Sequence, residues 1–465
     1  MNSTASHQLW KSKFHFVGIG GIGMCGLAEL LHNMGAQVTG SDLGENANTD
    51  RLKAMGVKVM KGHAAENLGA VDVVVYSSAV SMENPEVAAA RARGIPLIPR
   101  AEALAEMMRL KRGIALAGTH GKTTTTAMTA AIFLEAQARP TIVVGGRLDL
   151  IQSTALLGDG EWLIAEADES DGSFHKLQPE IAVVTNIDSD HLDYYKSFEN
   201  LQQSFTAFGL KVPFYGSLIA CGDDPQVRRV FENFPKRVKY YGFDAKNEYR
   251  IEGGKGRYKL FQKKKLAGDL AQTEDKLLGD FEVKVPGQHN ALNATASLLA
   301  GLAAGIPFAI CQKGLANFQG VDRRFQLKGE AKNIKVYDDY GHHPTEVRAT
   351  LQGFRERFPD NRVVALFQPH RYSRTQLCWH DFTNCFSQAD HVILTDIYAA
   401  GEKPIDGITG ERLVAEAKHN SKLYLAKDDQ LAAKVRAQLK DGDVLVTLGA
   451  GDIWKTGMQV LDLLK

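Results

Sequence analysis

Short apolar runs that are typical of buried β-strands alternate with helical patterns along almost the whole chain. The runs FHFVGIG, WLIAEAD and DVLVTLGAGD are examples, and each ends in glycine or polar residues. Such alternation predicts parallel sheets, because two parallel strands need a long crossover connection that is usually a helix. We therefore expect an α/β fold that binds its ligands at the carboxyl ends of the strands.

The 465-residue chain is long enough for about three domains of ordinary size. The helical AEALAEMMRLKRG closes the first block, and the strand IALAG opens the second. Residues 236–285 alternate apolar and charged side chains around GGKG, a pattern that predicts antiparallel hairpins on the second domain. We predict a Rossmann-like domain, a domain with a parallel sheet plus hairpins, and a second Rossmann-like domain, at residues 1–112, 113–325 and 326–465.

Composition narrows the classes of partner. The formal net charge is +1, with 55 basic and 54 acidic residues, so the chain has no overall attraction for nucleic acid or anionic membrane. No apolar run approaches the ~20 residues that span a bilayer, and the first residues lack an apolar signal core. The five cysteines form no CxxC pair. We expect a cytoplasmic protein with reduced thiols, a monomer or a homodimer, without nucleic-acid or membrane partners.

A glycine-rich loop after the strand IALAG carries the strongest local signal. Its residues are Gly118, Thr119, His120, Gly121, Lys122, Thr123 and Thr124. In such a loop the backbone N–H groups point at phosphate oxygens, and the following helix N-terminus adds positive potential. Lys122 can reach the β- and γ-phosphates, and the Thr123 hydroxyl can bind Mg²⁺. The general pattern has a further glycine where this chain has Leu116, so we predict a variant nucleotide-binding loop.

Acidic residues follow the next two apolar strands. Glu166 lies in WLIAEAD and begins the acidic run of residues 166–171, while His191 follows Asp188 and Asp190 after VVTNID. Carboxylates at a strand end beside the loop can hold Mg²⁺ near the phosphates, and an imidazole can bind a metal or orient a phosphate. Solvated acidic loops and structural histidines are common, but the positions after buried strands favour a functional role.

A second glycine turn lies near the start of the chain. Residues 18–23 match G-x-G-x-x-G after a strand, and Asp42 follows at the spacing of a dinucleotide site. This turn fits NAD and an oxidoreductase, but it fits any diphosphate, including that of a UDP-sugar. Because the chain has a separate nucleotide loop, we favour a nucleotide-linked substrate at Gly20, Gly21 and Gly23.

Polar clusters also occur towards the carboxyl end. PGQHNALN and VDRRF offer groups that can contact an adenine edge and neutralise phosphate charge, although a helix cap or a surface arginine would explain either alone. DDYGHHP and QPHRYSR each follow a predicted strand. Their carboxylates, imidazoles and guanidinium groups suit a site where a carboxylate, a phosphate and an amino acid meet.

In this order the motifs resemble those of the Mur ligases over essentially the whole chain. The matching segments are GIGGIGM, GTHGKTTT, EADESDGSF, NIDSDHLDYY, FENLQQSF, PGQHNALNA, RRF, DDYGHHPTE and FQPHRYSR. The resemblance implies three domains that bind a UDP-sugar, ATP and an incoming amino acid. It also implies that ATP and Mg²⁺ convert the lactyl carboxylate of UDP-N-acetylmuramate to an acyl phosphate, which the amine of L-alanine attacks.

The resemblance further implies roles for individual residues. The phosphates lie at residues 118–124, and Gly20, Gly21 and Gly23 hold the UDP-sugar. One Mg²⁺ is bound by Thr123 and Glu166, and a second with the help of His191. Adenine, the γ-phosphate and the ribose lie near His289, Asn290, Asn293, Arg324 and Asp339. The amino acid and the reacting carboxylate face Tyr340, His342, His370 and Arg371. The residues expected to act in catalysis are Lys122, Glu166, His191, His342 and Arg371.

Several related ligases hold the second metal with a carbamylated lysine that follows the histidine corresponding to His191. Here residues 204–208, where that lysine would stand, contain none, and the nearest one ahead is Lys211. We therefore predict a second metal site without a carbamate. Three alternatives stay open: a relative that joins a tripeptide to the same sugar, an NAD-dependent oxidoreductase, and a P-loop regulatory or transport ATPase.

Overall fold

The computed structural model describes residues 11–77, 79–148, 150, 151, 153–266 and 269–465. Its strands form three sheets. Two compact units contain them. The first unit runs up to Glu252 and includes Tyr258–Glu282 and Leu292–Gln319, and the second comprises Gly253–Arg257, Val283–Ala291 and Gly320–Lys465.

The first sheet has Rossmann-like topology. Its strands are β1 Lys13–Val17, β2 Gln37–Asp42, β3 Lys58–Lys61, β4 Val73–Tyr76 and β5 Leu97–Pro99, in the order β3-β2-β1-β4-β5. All of its strand pairs are parallel. The helices are α1 Ile22–Asn33, α2 Ala47–Ala54, α3 Pro85–Ala92 and α4 Arg100–Met108. The order reverses at β1, which places a ligand crevice at the carboxyl ends of β1 and β4.

The second sheet is the largest. Its strands are β6 Arg112–Ala117, β7 Thr141–Leu148, β8 Ser153–Leu156, β9 Trp162–Glu166, β10 Ile181–Val184, β11 Ser217–Cys221, β12 Val238–Gly242, β13 Tyr249–Gly254, β14 Arg257–Leu266 and β15 Asp269–Glu282. Their order is β15-β14-β13-β12-β11-β10-β6-β9-β7-β8. The helices are α5 Lys122–Glu135, α6 Leu192–Tyr195, α7 Phe198–Leu210, α8 Pro225–Phe231, α9 Gln288–Ala303 and α10 Phe308–Asn317. The parallel neighbours of β6 are β9 and β10, so the three strand ends with predicted polar groups are adjacent.

The segment of residues 236–285 differs in part from the predicted antiparallel hairpins. Its first strand, β12, pairs in parallel with β11, and β13 pairs in parallel with β12. The apolar and polar alternation of β12 comes from partial exposure of this strand, which sequence cannot distinguish from an antiparallel strand with one wet face. A hairpin does join β13 to β14, because Lys255 and Gly256 have φ angles of 51° and 82°, as a type I′ turn requires.

The third sheet lies in the second unit. Its strands are β16 Gln326–Ala331, β17 Ile334–Asp339, β18 Val363–Phe367, β19 His391–Leu394, β20 Lys422–Tyr424 and β21 Val444–Leu448, in the order β16-β17-β21-β18-β19-β20. Only β16 is antiparallel to its neighbour. The helices are α11 Pro344–Arg357, α12 Tyr372–Leu377, α13 Trp379–Phe382, α14 Gly410–Glu416, α15 Leu431–Gln438 and α16 Ile453–Leu464. Separate buried clusters, around Phe354 and around Val460, cover the sheet and confirm its α/β character.

The first two sheets share one buried apolar cluster within the first unit. Helix α1 packs against β8, and a Cβ added to Gly26 would lie 2.9 Å from the Thr154 Oγ1. The Ser153 hydroxyl donates to the Glu29 carboxylate at 3.2 Å. A larger residue at position 26 would therefore push α1 away from β8.

Within the described ranges, no helix is long and apolar enough to cross a bilayer. The five cysteines are buried free thiols.

Candidate active site

The glycine-rich loop joins β6 to α5 as predicted. Gly118 and Gly121 have φ angles of 133° and 82°. A Cβ at Gly118 would lie 2.0 Å from the Thr185 Oγ1, and one at Gly121 would lie 2.6 Å from the Asn293 Oδ1. Both positions thus require glycine for conformation and for space. Leu116 is still within β6, fully buried between β9 and β10, which explains why the first glycine comes later than in the general pattern.

Lys122 begins α5 and folds back over the loop. Its ammonium donates to the carbonyl oxygens of Gly118 and Thr119, at 2.7 and 3.1 Å, and lies 2.7 Å from a carboxylate oxygen of Glu169. Burial alone would lower the pKa of Lys122, but the nearby carboxylates, above all Glu169, raise it. The lysine is therefore a cation, paired with Glu169, at the position where phosphates would bind.

Thr123 and Glu166 meet at the ends of α5 and β9. The Thr123 hydroxyl lies 3.1 and 3.0 Å from the two Glu166 carboxylate oxygens, and the Gly145 N–H donates to Glu166 at 2.8 Å. A hydroxyl and a carboxylate are hard oxygen ligands of the kind that Mg²⁺ prefers. This donor set fits Mg²⁺ at the phosphate end of the loop.

Glu169 is the group that sequence reasoning missed. The prediction included it in the acidic run of residues 166–171 but gave a role only to Glu166. In the structure Glu169 is fully buried, and burial raises its pKa to about 7 despite the ammonium of Lys122, with the charge of Asp168 adding to the effect. The Tyr195 hydroxyl donates to the Glu169 carbonyl at 2.5 Å.

His191 lies beside these carboxylates. Its Nε2 is 3.8 Å from the Glu169 Oε1 and 3.6 Å from the Asp190 Oδ2. The residue has a φ of 56°, in the left-handed region that histidine adopts more often than most residues. An imidazole placed among carboxylates agrees with the predicted metal role.

Thr119 and His120 connect the loop to the end of β10. The His120 ring lies 2.9 Å from the Asp188 carboxylate, and its backbone N–H donates to the Asn186 side chain at 2.8 Å. The Asp188 N–H donates to the Thr119 hydroxyl at 2.9 Å. These contacts fix the loop from the neighbouring strand, so two of the predicted phosphate residues also have a structural role. Thr124 is buried in the first turn of α5.

The glycine turn of the first sheet is held by Asp42. The Gly20 N–H donates to the Asp42 Oδ2 at 2.8 Å, and the Gly44 N–H donates to Oδ1 at 3.2 Å. Gly21 is the N-cap of α1. A Cβ at Gly23 would lie 3.0 Å from the Arg100 guanidinium, and Arg100 lies 3.8 Å from Asp168. Arg100, which the sequence reasoning did not single out, thus links this turn to the acidic run after β9.

The ends of β17 and β18 come together in the second unit. The rings of His342 and His370 are 5.8 Å apart, and the His370 ring stacks on Tyr398 at 5.5 Å. Burial, followed by the charge of Arg374, lowers the pKa of His370 to about 4. The two clusters predicted from sequence therefore form one site, to which Tyr398, a residue outside both clusters, also belongs.

Arg371 has an unusual backbone. Its φ and ψ angles are 68° and 137°, a region that side chains other than glycine rarely adopt. Its N–H donates to the Tyr398 carbonyl at 2.8 Å, and its guanidinium lies 3.9 Å from Glu402. Strained residues cluster at active sites and ligand-binding sites, and Arg371 lies just beyond the carboxyl end of β18.

Arg324 and Asp339 are also in the second unit. The Asp339 carboxylate is buried and accepts the N–H groups of Phe325 and Gly341, each at 2.8 Å. Arg324 lies 5.2 Å from the centre of the Tyr340 ring and 3.3 Å from Glu346. Asp339 thus fixes the backbone next to Arg324 and Tyr340. The predicted contact of Asp339 with a ribose stays a prediction.

His289 and Asn290 open α9. Burial, and then the charge of Arg324, lowers the pKa of His289 to about 4, so its ring is neutral at physiological pH. Asn290 donates to the Pro286 carbonyl at 2.7 Å. Asn293, one turn on, belongs to the first unit and lies against Gly121. A neutral imidazole and an amide suit the predicted recognition of adenine.

The fold and these sites define a nucleotide-binding α/β enzyme with Rossmann-like sheets before and after a central phosphate-loop sheet. Three family models match in the same order: the Mur ligase family catalytic domain at residues 13–112, the Mur ligase middle domain at 116–301 and the Mur ligase glutamate ligase domain at 323–451. The chain belongs to the Mur ligase family.

Two named relatives are similar over nearly their full length. The UDP-N-acetylmuramate–L-alanine ligase of Bdellovibrio bacteriovorus is 66% identical over 98% of this chain and 100% of its own. That of Trichlorobacter lovleyi is 49% identical over 96% and 97%. Among solved structures, the UDP-N-acetylmuramate–alanine ligase of Thermotoga maritima superposes with a TM-score of 0.78 at 28% identity, covering 97% and 99% of the two chains. A murein peptide ligase of Psychrobacter arcticus, at a TM-score of 0.70 and 23% identity over 97% and 98%, shows the shared fold.

Proposed function

We propose that this enzyme uses ATP to join L-alanine to the lactyl carboxylate of UDP-N-acetylmuramate, through an acyl phosphate, in the synthesis of peptidoglycan precursors. The observation that carries the proposal is the phosphate loop, in which Lys122 and the Thr123–Glu166 pair are positioned to bind phosphates and Mg²⁺. This loop occurs in a chain that is 66% identical to a UDP-N-acetylmuramate–L-alanine ligase. We also propose that the boundaries between the three domains lie after residues 112 and 325.

The residues of the loop would act on the phosphates of ATP. Lys122, released from Glu169, would neutralise charge that develops during transfer of the γ-phosphate to the lactyl carboxylate. Thr123 and Glu166 would hold one Mg²⁺, and His191 with nearby carboxylates a second. The metal would supply electrophilic stabilisation of phosphate oxygens. The buried surroundings of Glu169 would exclude water, which otherwise hydrolyses an acyl phosphate.

The site at the ends of β17 and β18 would bind the amino acid. His370 is neutral and Arg371 positively charged, so together they offer an acceptor for an amine and a partner for a carboxylate. Tyr340 and His342 would line the same site, and Arg324 would face the transferred phosphate. His289, Asn290, Asn293 and Asp339 would contact the adenosine. Gly20, Gly21 and Gly23 would line the position of the diphosphate of the sugar substrate, beside the start of α1.

The chemistry also suggests a compartment. ATP and nucleotide-linked sugars are cytoplasmic metabolites, so we propose a cytoplasmic enzyme that acts as a monomer or a homodimer. Sedimentation of the purified chain distinguishes the two oligomeric states.

The deciding experiment measures phosphate release from ATP with UDP-N-acetylmuramate, with and without L-alanine. We expect release that depends on both substrates and a product with the added mass of one alanine residue. Release with a cell-wall tripeptide in place of L-alanine would favour the tripeptide-joining relative. Tight calorimetric binding of NAD, with none of UDP-N-acetylmuramate, would favour the oxidoreductase.

A further inference from the structure

A buried carboxylate lies beside the carboxyl end of β2, and none of the roles above uses it. Glu86, in the first turn of α3, has no exposed surface. It accepts hydrogen bonds from the side chains of Ser41 and Asn67, both at 2.5 Å, and from the Ala64 N–H at 3.2 Å. His15 Nε2 lies 3.3 Å away. Burial would raise the pKa of Glu86, but hydrogen bonds, that of His15 first, lower it to about 2. The carboxylate is an ionised acceptor.

This acceptor determines where the protons of its neighbours lie. Ser41 has one hydroxyl proton, which it donates to Glu86, so the Ser41 oxygen must accept from the His63 Nδ1 at 2.9 Å. A neutral imidazole has a proton on one nitrogen only. With that proton on Nδ1, the Nε2 of His63 is a hydrogen-bond acceptor, and none of the described residues donates to it.

His63 stands where a nucleoside is expected. It follows Gly62, whose N–H donates to the Asp42 carbonyl at 2.7 Å, and Asp42 holds the glycine turn through the Gly20 N–H. In a Rossmann-like sheet the ribose lies near the acidic residue that ends the second strand, and the base extends along the same edge. The free acceptor of His63 is therefore one strand beyond the ribose position.

We propose that His63, oriented by Ser41 and Glu86, accepts a hydrogen bond from the nucleoside of the UDP-sugar. This inference rests on the proposed function, because it takes the sugar nucleotide to bind at the glycine turn. The donor is the imide N3–H of uracil or a ribose hydroxyl, since these are the N–H and O–H donors of uridine. Glu86 is a positioning residue: it acts on the tautomer of His63 through Ser41 and also directly, because its Oε2 lies 3.5 Å from the His63 Nδ1. It does not touch the nucleotide.

The test is calorimetric titration of the full chain with UDP, CDP, 2′-deoxy-UDP and 3′-deoxy-UDP. Cytosine has an acceptor in place of the N3–H, and each deoxy compound lacks one hydroxyl. We expect the compound that lacks the donor to bind about five-fold more weakly than UDP, the effect of one neutral hydrogen bond. In His63→Ala that preference should disappear, and UDP should bind about as weakly as the analogue.

Two further variants test the role of Glu86. Glu86→Gln should reduce the same preference while the KM for ATP stays unchanged, a split that general loss of stability would not produce. Glu83→Gln removes an exposed carboxylate three residues earlier and should leave the preference intact. If Glu86→Gln does not fold, Ser41→Ala takes its place, because it removes the 2.9 Å hydrogen bond to the His63 Nδ1 and leaves only the longer direct approach of Glu86.

The outcomes separate this inference from the proposed function. Equal binding of all four nucleotides by the wild type, or a preference that persists in His63→Ala, overturns the role of His63. A wild-type protein that binds no uridine nucleotide instead overturns the assignment of the sugar site, which is a different failure.

Discussion

The Lys122 ammonium lies 2.7 Å from the Glu169 carboxylate, inside the loop that is built to hold phosphates. Glu169 is fully buried and Lys122 nearly so. The carboxylate supplies the negative charge that Lys122 needs in a medium of low polarity. The phosphates of ATP would supply the same charge to Lys122.

Glu169→Ala should therefore destabilise the nucleotide-free protein more than the nucleotide-bound protein. Removing one partner of a buried ion pair leaves an uncompensated charge and costs about 3 kcal/mol. We expect a lower melting temperature for the free variant and a larger increase on adding a non-hydrolysable ATP analogue than in the wild type. An equal increase in both proteins would show that phosphates do not take over from Glu169.

Lys122→Ala should abolish ATP-dependent phosphate release and leave binding of the UDP-sugar nearly intact. The loss should be at least about 10²-fold, as for one strong electrostatic donor at a transition state. A phosphate-release assay measures turnover, and calorimetric titration with UDP-N-acetylmuramate measures binding of the UDP-sugar. Lys313→Ala, which removes an exposed lysine paired with Glu135, is the matched control. Near-normal turnover of Lys122→Ala would contradict the assignment of the loop.

Arg371→Gly should separate stability from activity. Glycine adopts a φ of 68° without strain, and relief of about 1 kcal/mol offsets the higher entropy of the unfolded glycine variant. We expect a melting temperature equal to or above that of the wild type, with ligation reduced about 10²-fold. Arg371→Ala keeps the strain and should melt lower than the glycine variant. If Arg371 is only a structural ion-pair partner of Glu402, the glycine variant keeps its turnover.

The stability contributed by Glu86 should depend on pH. Its folded pKa of about 2 lies below the ordinary value of 4.5, so the contribution is complete above about pH 4.5 and is lost as the pH falls towards 2. The difference in unfolding free energy between the wild type and Glu86→Gln should be about 2 kcal/mol smaller at about pH 3 than at about pH 6. Urea unfolding at both pH values measures it, and a constant difference would show that Glu86 is not ionised in the fold.

Activity should not depend on bicarbonate. Lys211 is the exposed residue that follows the last residue of α7, and position 206 on that helix is a threonine whose hydroxyl donates to the Gln202 carbonyl. We expect equal turnover in degassed, bicarbonate-free buffer and after bicarbonate is added back, and Lys211→Ala should be active. Recovery on adding bicarbonate, or the mass of a carbamate on Lys211, would contradict a metal site without a carbamate.

The sequence predicted the strand-end groups well because apolar strands leave a clear signal. Lys122 and His191 follow β6 and β10, and Glu166 is the last residue of β9. The parallel order of these strands makes their ends neighbours. The same reasoning brought His342 and His370 into one site. Both results need only local patterns and the rule that parallel strands share a carboxyl edge.

Long-range contacts between polar side chains were beyond that reasoning. Glu169 differs from the other carboxylates of its run only in pointing inward to Lys122, and Arg100 reaches Asp168 across a long stretch of sequence. Glu86 lies in an ordinary helix start, N-P-E, whose sequence gives no sign of burial. Parallel pairing of β12 was likewise hidden, because a partly exposed parallel strand can carry the same mixture of apolar and charged residues as an antiparallel one.

The packing of α1 on β8 has a consequence for synthesis of the chain. The first sheet and its helices end at Met108, but Thr154, which covers Gly26 of α1, leaves the ribosome only after β6, α5 and β7. During that interval the growing chain presents an uncovered apolar helix to the cytosol, where chaperones bind such surfaces. In an isolated first domain, the face of α1 that packs on β8 would stay exposed to solvent. Such a domain would aggregate unless β8 were included in it.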